Sequence, residues 1–142
     1  TMKMNMEMKP GGSMVESKGP GSAKALLGNR FVMFETETEM MGMKGGAIQI
    51  MGYDRRFNKY FLFGIDFMGT YYIISEGTYD KETKIITLDG TDEWPMKDGT
   101  TMKMPFKMQF FMDKPEGYVF KVLFPDQDGT MYTMVEGTAT PR

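Results

Sequence analysis

Residues 101–112 read TMKMPFKMQFFM. Met102, Met104, Phe106, Met108, Phe110 and Met112 fall on one side of an extended chain, and Thr101, Lys103, Lys107 and Gln109 mostly on the other. Successive side chains of a pleated strand point to opposite faces, so this alternation predicts an antiparallel strand with one buried face. Residues 1–8, TMKMNMEM, repeat the pattern, with Met2, Met4, Met6 and Met8 opposite Thr1, Lys3, Asn5 and Glu7. Pro105 lies on the polar face of its run. Proline cannot donate to a ladder, so it predicts an edge or a bulge there.

Working outward, strand-like runs occupy 30–40, 47–53, 59–67, 70–79, 84–90, 118–124 and 130–137, with a further short segment around Met14-Val15-Glu16. Gly-, Asp- and Asn-containing turns separate them. Two turns rhyme: Tyr53-Asp54 before Lys59, and Tyr79-Asp80 before Lys84. In each, the Asp carboxylate is expected to accept loop backbone amides. Residues 22–28, SAKALLG, predict one short helical turn. The fold expected is all-β: a single antiparallel up-and-down β-barrel, lipocalin- or calycin-like, of about nine or ten strands in one domain spanning 1–142. Closure also removes the edges that so apolar a sheet would expose.

Composition narrows the chemistry. The chain contains neither cysteine nor histidine. Disulfides, Ser-His-Asp and Cys-His nucleophilic sites, and His- or Cys-ligated zinc are therefore impossible. Acid–base chemistry would fall to carboxylates, Lys or Tyr, which argues against an enzyme, and no cofactor is implied. The net charge is −2 and the 17 basic residues are scattered, clustering only at Arg55-Arg56 beside Lys59. No nucleic-acid partner is expected without a basic face. The longest apolar stretch, YFLFGIDFMGTYYII at 60–74, is broken by Asp66 and two glycines, so no membrane span is expected. The chain begins at Thr1 without a signal peptide. The expectation is a processed or truncated first strand, with a cytoplasmic home, or a periplasmic or extracellular one if an upstream export signal was removed.

Leu27-Gly28-Asn29-Arg30-Phe31, Met41-Gly42-Met43, and Gly52-Tyr53-Asp54 with Lys59-Tyr60 form a recognisable series. It continues through Ile65-Asp66 with Met68, and Ser75-Glu76-Gly77-Thr78-Tyr79-Asp80. Together they resemble the bacterial family catalogued as domain of unknown function 1579, over nearly the whole chain. The resemblance implies a lipocalin-like barrel and no established activity. Two departures stand out. The Gly-x-Trp opening usual in the family comes just before the Met-Lys segment, and this sequence starts too late to show it; Gly64 stands where a Trp commonly precedes Ile-Asp. Loss of that aromatic is expected to enlarge or reshape the interior.

Eighteen methionines are the compositional anomaly. The leading explanation is core packing, because the flexible thioether fills irregular gaps. A Met- and Phe-lined cavity for a small hydrophobic ligand is compatible with it. The third reading is a soft-metal site at Met40, Met41 and Met43, in a glycine loop able to fold around an ion. Glu35, Glu37 and Glu39 read as a solvated strand face. Asp66 reads first as the start of a turn at Met68-Gly69 and second as a buried acid partnered by Arg30. A glycosidase-type pair of Asp66 with Glu76 is the weakest reading. Trp94, expected in a loop after a strand, covers the end of the core or touches a ligand. Of Tyr71-Tyr72, one ring is expected in and one out.

The functional expectation is a non-enzymatic barrel carrying a small hydrophobic ligand at a cavity end formed by Arg30, Tyr53, Tyr60, Asp66 and Trp94. Arg30 and Asp66 would orient a polar head. The runner-up is a structural or assembly subunit, a homo-oligomer pairing strands between copies. A carboxylate-only enzyme comes third.

Overall fold

The computed structural model describes residues 1–7, 9–40, 42–114 and 117–140, with the side chain of Met40 left aside. The strands are β1 (Met2–Glu7), β2 (Met14–Gly19), β3 (Gly21–Leu26), β4 (Phe31–Met40), β5 (Met43–Asp54) and β6 (Lys59–Asp66). They continue with β7 (Ile73–Asp80), β8 (Ile85–Pro95), β9 (Thr101–Phe111), β10 (Tyr118–Pro125) and β11 (Met131–Ala139). All belong to one sheet of order β2-β1-β11-β10-β9-β8-β7-β6-β5-β4-β3. Every pairing is antiparallel, and β1 joins β11 with Met2 opposite Ala139 and Met6 opposite Val135.

The two ends of this ladder, β2 and β3, are one run of chain divided only by Pro20. Residues 14–19 pair with β1 and residues 21–26 with β4, so a single bent segment carries the sheet almost back onto itself. Across the remaining seam the Glu37 amide donates to the Pro20 carbonyl at 2.9 Å, and the Ser17 hydroxyl to the Glu39 carbonyl at 3.2 Å. Gly19 permits this approach: a Cβ there would stand 1.7 Å from the Glu37 carbonyl oxygen. The result is a nearly closed antiparallel barrel.

Among the described residues, eleven strands replace the nine or ten expected, and residues 22–28 do not form the helical turn expected there. That segment is β3 followed by a turn in which Leu27, Gly28 and Asn29 all have positive φ (49°, 68° and 62°). A run so short cannot sustain a helix alone. Pairing with β4 satisfies its backbone groups instead. The Asp turns form as expected. Asp54 Oδ1 accepts the Arg56 amide at 2.9 Å, and Asp80 Oδ1 accepts those of Glu82 and Thr83 at 2.8 and 3.2 Å. These contacts hold both carboxyls below their usual range, with the Arg56 side chain the main cause at Asp54 and the loop amides at Asp80.

Side chains are packed most tightly on the inner faces of β6, β8 and β9. Leu62 and Leu88 are fully buried, clustered with Ile86, Phe106, Met108 and Phe110 and flanked by Phe120 and Phe124. Each such side chain contributes about 1.5–3 kcal/mol on burial. The even-numbered face of 101–112 thus points inward at its centre, while Met102 and Met112 near its ends are exposed. Glu35, Glu37 and Glu39 face solvent, and Thr36 and Thr38 face in.

The β8–β9 hairpin outruns the barrel. β7 pairs with β8 only as far as Gly90, and β10 with β9 only from Lys107 onward. Residues 91–95 and 101–105 therefore pair solely with each other, as a two-stranded ribbon carrying a Lys103–Glu93 ion pair at 3.1 Å. Pro105 falls where the β10 ladder has ended, the edge position its missing N–H favours. Trp94 is consequently on a strand, not in the loop expected for it.

Candidate functional site

The packed cluster does not fill the barrel. A cavity of about 380 Å³ opens on the inner face of the N-terminal strands. One wall is Met2, Met4 and Met6 of β1 with Phe34, Thr36 and Thr38 of β4; the other is the rim of the core, including Ile73, Phe106 and Met108. Alternation explains the β1 wall, because every second residue of a strand reaches the same face. Gln49 and Ala47 of β5 complete the lining beside it.

Polar groups gather where the β6–β7 connection meets the β8–β9 ribbon. Asp66, Phe67, Met68 and Tyr71 come from the first, Asp92 and Trp94 from the second. The Tyr71 and Trp94 rings meet edge to face with centroids 5.6 Å apart. The Trp94 indole N–H donates to Asp92 Oδ2 at 2.8 Å, and the Met68 amide to Asp66 Oδ1 at 2.8 Å. Burial chiefly, then the charges of Asp66 and Asp92, push the Tyr71 hydroxyl above its ordinary pKa. Among the described residues, no Lys or Arg lines this cavity, whose formal charges are the two carboxylates.

Of the residues expected to form the site, Asp66 and Trp94 share the cavity. Tyr53 and Tyr60 pair with each other across β5 and β6, ring centroids 4.9 Å apart, and Tyr60 packs on the core. Arg30 is exposed in the β3–β4 turn. These three do not line the cavity, and Asp66 is engaged in its own turn, as its first reading expects. Glu76 faces outward to Lys59 at 3.5 Å, away from the cavity that Asp66 lines. Met43 is exposed, and Met41 and the Met40 side chain lie outside the described residues. Tyr71 lines the cavity and Tyr72 stacks outside on Phe63, the division expected of the doublet.

Asp92 was not among the expected residues. The signal was present, since Ile86, Leu88 and Gly90 set an inward phase that continues to Asp92 and Trp94. Gly64 is buried on the inner face of β6. A Cβ there would stand 3.2 Å from Ile73 Cγ1 and 3.6 Å from Gln49 Cγ, two residues that line the cavity. A side chain at this position would therefore press on two residues of the cavity wall.

The family model described as "Protein of unknown function (DUF1579)" matches residues 1–140, and the chain belongs to that family. No curated protein matches it. Among the described residues no helix is long and apolar enough to cross a membrane.

Proposed function

We propose that this member of the family binds a small hydrophobic molecule within a lipocalin-like barrel, as a carrier or receptor and not as a catalyst. The supporting observation is the cavity of about 380 Å³, walled largely by Met and Phe side chains with Thr36, Thr38 and Gln49 among them, and carrying its formal charges, Asp66 and Asp92, where the β6–β7 connection meets the ribbon. Its size falls in the range of about 300–1,000 Å³ typical of small-molecule sites. Methionine suits such a wall, since its unbranched thioether adapts to the shape of the guest.

The strand-pairing alternative draws less support. The two ends of the ladder lie in one segment, and the β2 side of the seam is already engaged within the chain by the Glu37–Pro20 and Ser17–Glu39 hydrogen bonds.

The test is titration of the protein with a neutral hydrophobic probe, dodecanol, below its solubility limit. The expected result is saturable binding with a shift in emission from Trp94, the single tryptophan, and a raised Tm. Absence of both binding and stabilisation across neutral probes of several chain lengths would overturn the proposal.

A further inference from the structure

Resting on that reading, we infer that the preferred ligand is a cationic amphiphile, an amine or quaternary ammonium on a hydrocarbon chain, with its head between Asp66 and Asp92. The apolar walls accept the chain, but the two ends of the cavity are not equivalent. Charge is confined to the mouth, and all of it is negative. An anionic head would meet two carboxylates and no cation. An uncharged head would leave their attraction unused.

The aromatic pair adds to the selection. Tyr71 and Trp94, in edge-to-face contact, line the same end of the cavity as the carboxylates. Cations are drawn to aromatic ring faces, Trp most strongly, and quaternary ammonium ligands are commonly held by aromatic side chains. Each carboxylate keeps one oxygen committed within the protein, Asp66 Oδ1 to the Met68 amide and Asp92 Oδ2 to the Trp94 indole. Those bonds fix the orientation of both groups while leaving acceptor capacity on each, since a carboxylate offers about four lone-pair sites. Burial first, and then both carboxylates, act to keep the Tyr71 hydroxyl protonated. Asp66 reaches this point from the end of β6, and Asp92 from the ribbon beyond Gly90. The overhang of the ribbon is therefore what brings the second charge to the mouth.

The experiment compares three ligands with one dodecyl chain below their critical micelle concentrations: dodecyltrimethylammonium, dodecanol and dodecanoate. Calorimetry gives affinities for the intact chain, for Asp66→Asn with Asp92→Asn, and for the outer-face control Glu35→Gln with Glu37→Gln. Asparagine retains the acceptor oxygen that each internal hydrogen bond needs. The expected order is ammonium over alcohol by about tenfold, with the carboxylate weakest. The double asparagine variant should lose that tenfold preference of ammonium over alcohol, and the control should keep it. Equal affinity for ammonium and alcohol, or a preference that survives the double variant, would overturn the inference and leave the hydrophobic carrier standing. Failure of all three ligands to bind would overturn both.

Discussion

The Trp94 ring, carried on the β8–β9 ribbon, meets the Tyr71 ring of the β6–β7 connection edge to face at 5.6 Å. Tyr71 lies ahead of β7, and β7 has already left β8 at Gly90, so no ladder joins the two backbones at this level. The contact therefore spans the mouth of the cavity and not the sheet itself.

Removing one ring should widen that mouth without loosening the barrel. Tyr71→Ala is expected to release bound dodecanol several-fold faster in stopped-flow measurements of Trp94 emission. Its stability should change by less than about 1 kcal/mol, because Tyr71 is substantially exposed. An unchanged release rate would remove the mouth from this opening.

Gly64→Trp should fill the cavity from the β6 side. Gly64 has no positive φ, so its backbone suits an L residue. A Cβ there would already meet Ile73 Cγ1 at 3.2 Å, so a larger side chain must displace Ile73 and Gln49. The variant is expected to fold at a cost of about 1–3 kcal/mol and to bind dodecanol more than about tenfold more weakly. A well-folded variant with undiminished affinity would place the ligand elsewhere.

The two sides of the interior should respond differently to truncation. Leu88 is fully buried in the packed cluster, and Leu88→Ala is expected to cost about 2–5 kcal/mol in urea unfolding. Met4 borders empty space, so Met4→Ala should cost distinctly less, about 1 kcal/mol. Equal costs would indicate an evenly packed interior.

Alkali provides a fourth check. Burial pushes the Tyr118 hydroxyl up to about 12. Its unfolded value is about 10, so the unfolded chain ionises first. The stabilisation is complete below pH of about 10 and is lost as pH rises towards 12, an effect of about 2 kcal/mol. Tyr118→Phe should flatten the fall in stability over that window. An identical fall in both proteins would assign it to other groups.

Much of the architecture was legible from period-2 patterning, and the turn roles of Asp54, Asp66 and Asp80 followed from side-chain chemistry. The failure at SAKALLG is instructive: Ala, Leu and Lys favour helix locally, but pairing with β4 overrides that weak preference. The site was less legible because it depends on where ladders stop. Asp92 and Trp94 join Asp66 and Tyr71 only because the ribbon runs past Gly90, which no local pattern announces. Arg30 is close to β4 in sequence, yet its turn leaves it outside the cavity. The register of distant strands, not residue type, decides such meetings.

The most direct test of the central claim is gentle-ionisation mass spectrometry of wild type and Gly64→Trp, each taken from the cells that make it, before and after denaturation. A hollow, ligand-holding barrel predicts extra mass on wild type that is lost on denaturation and is absent or much reduced on Gly64→Trp. A native wild-type mass equal to the denatured mass, together with no uptake of added dodecanol, would contradict it.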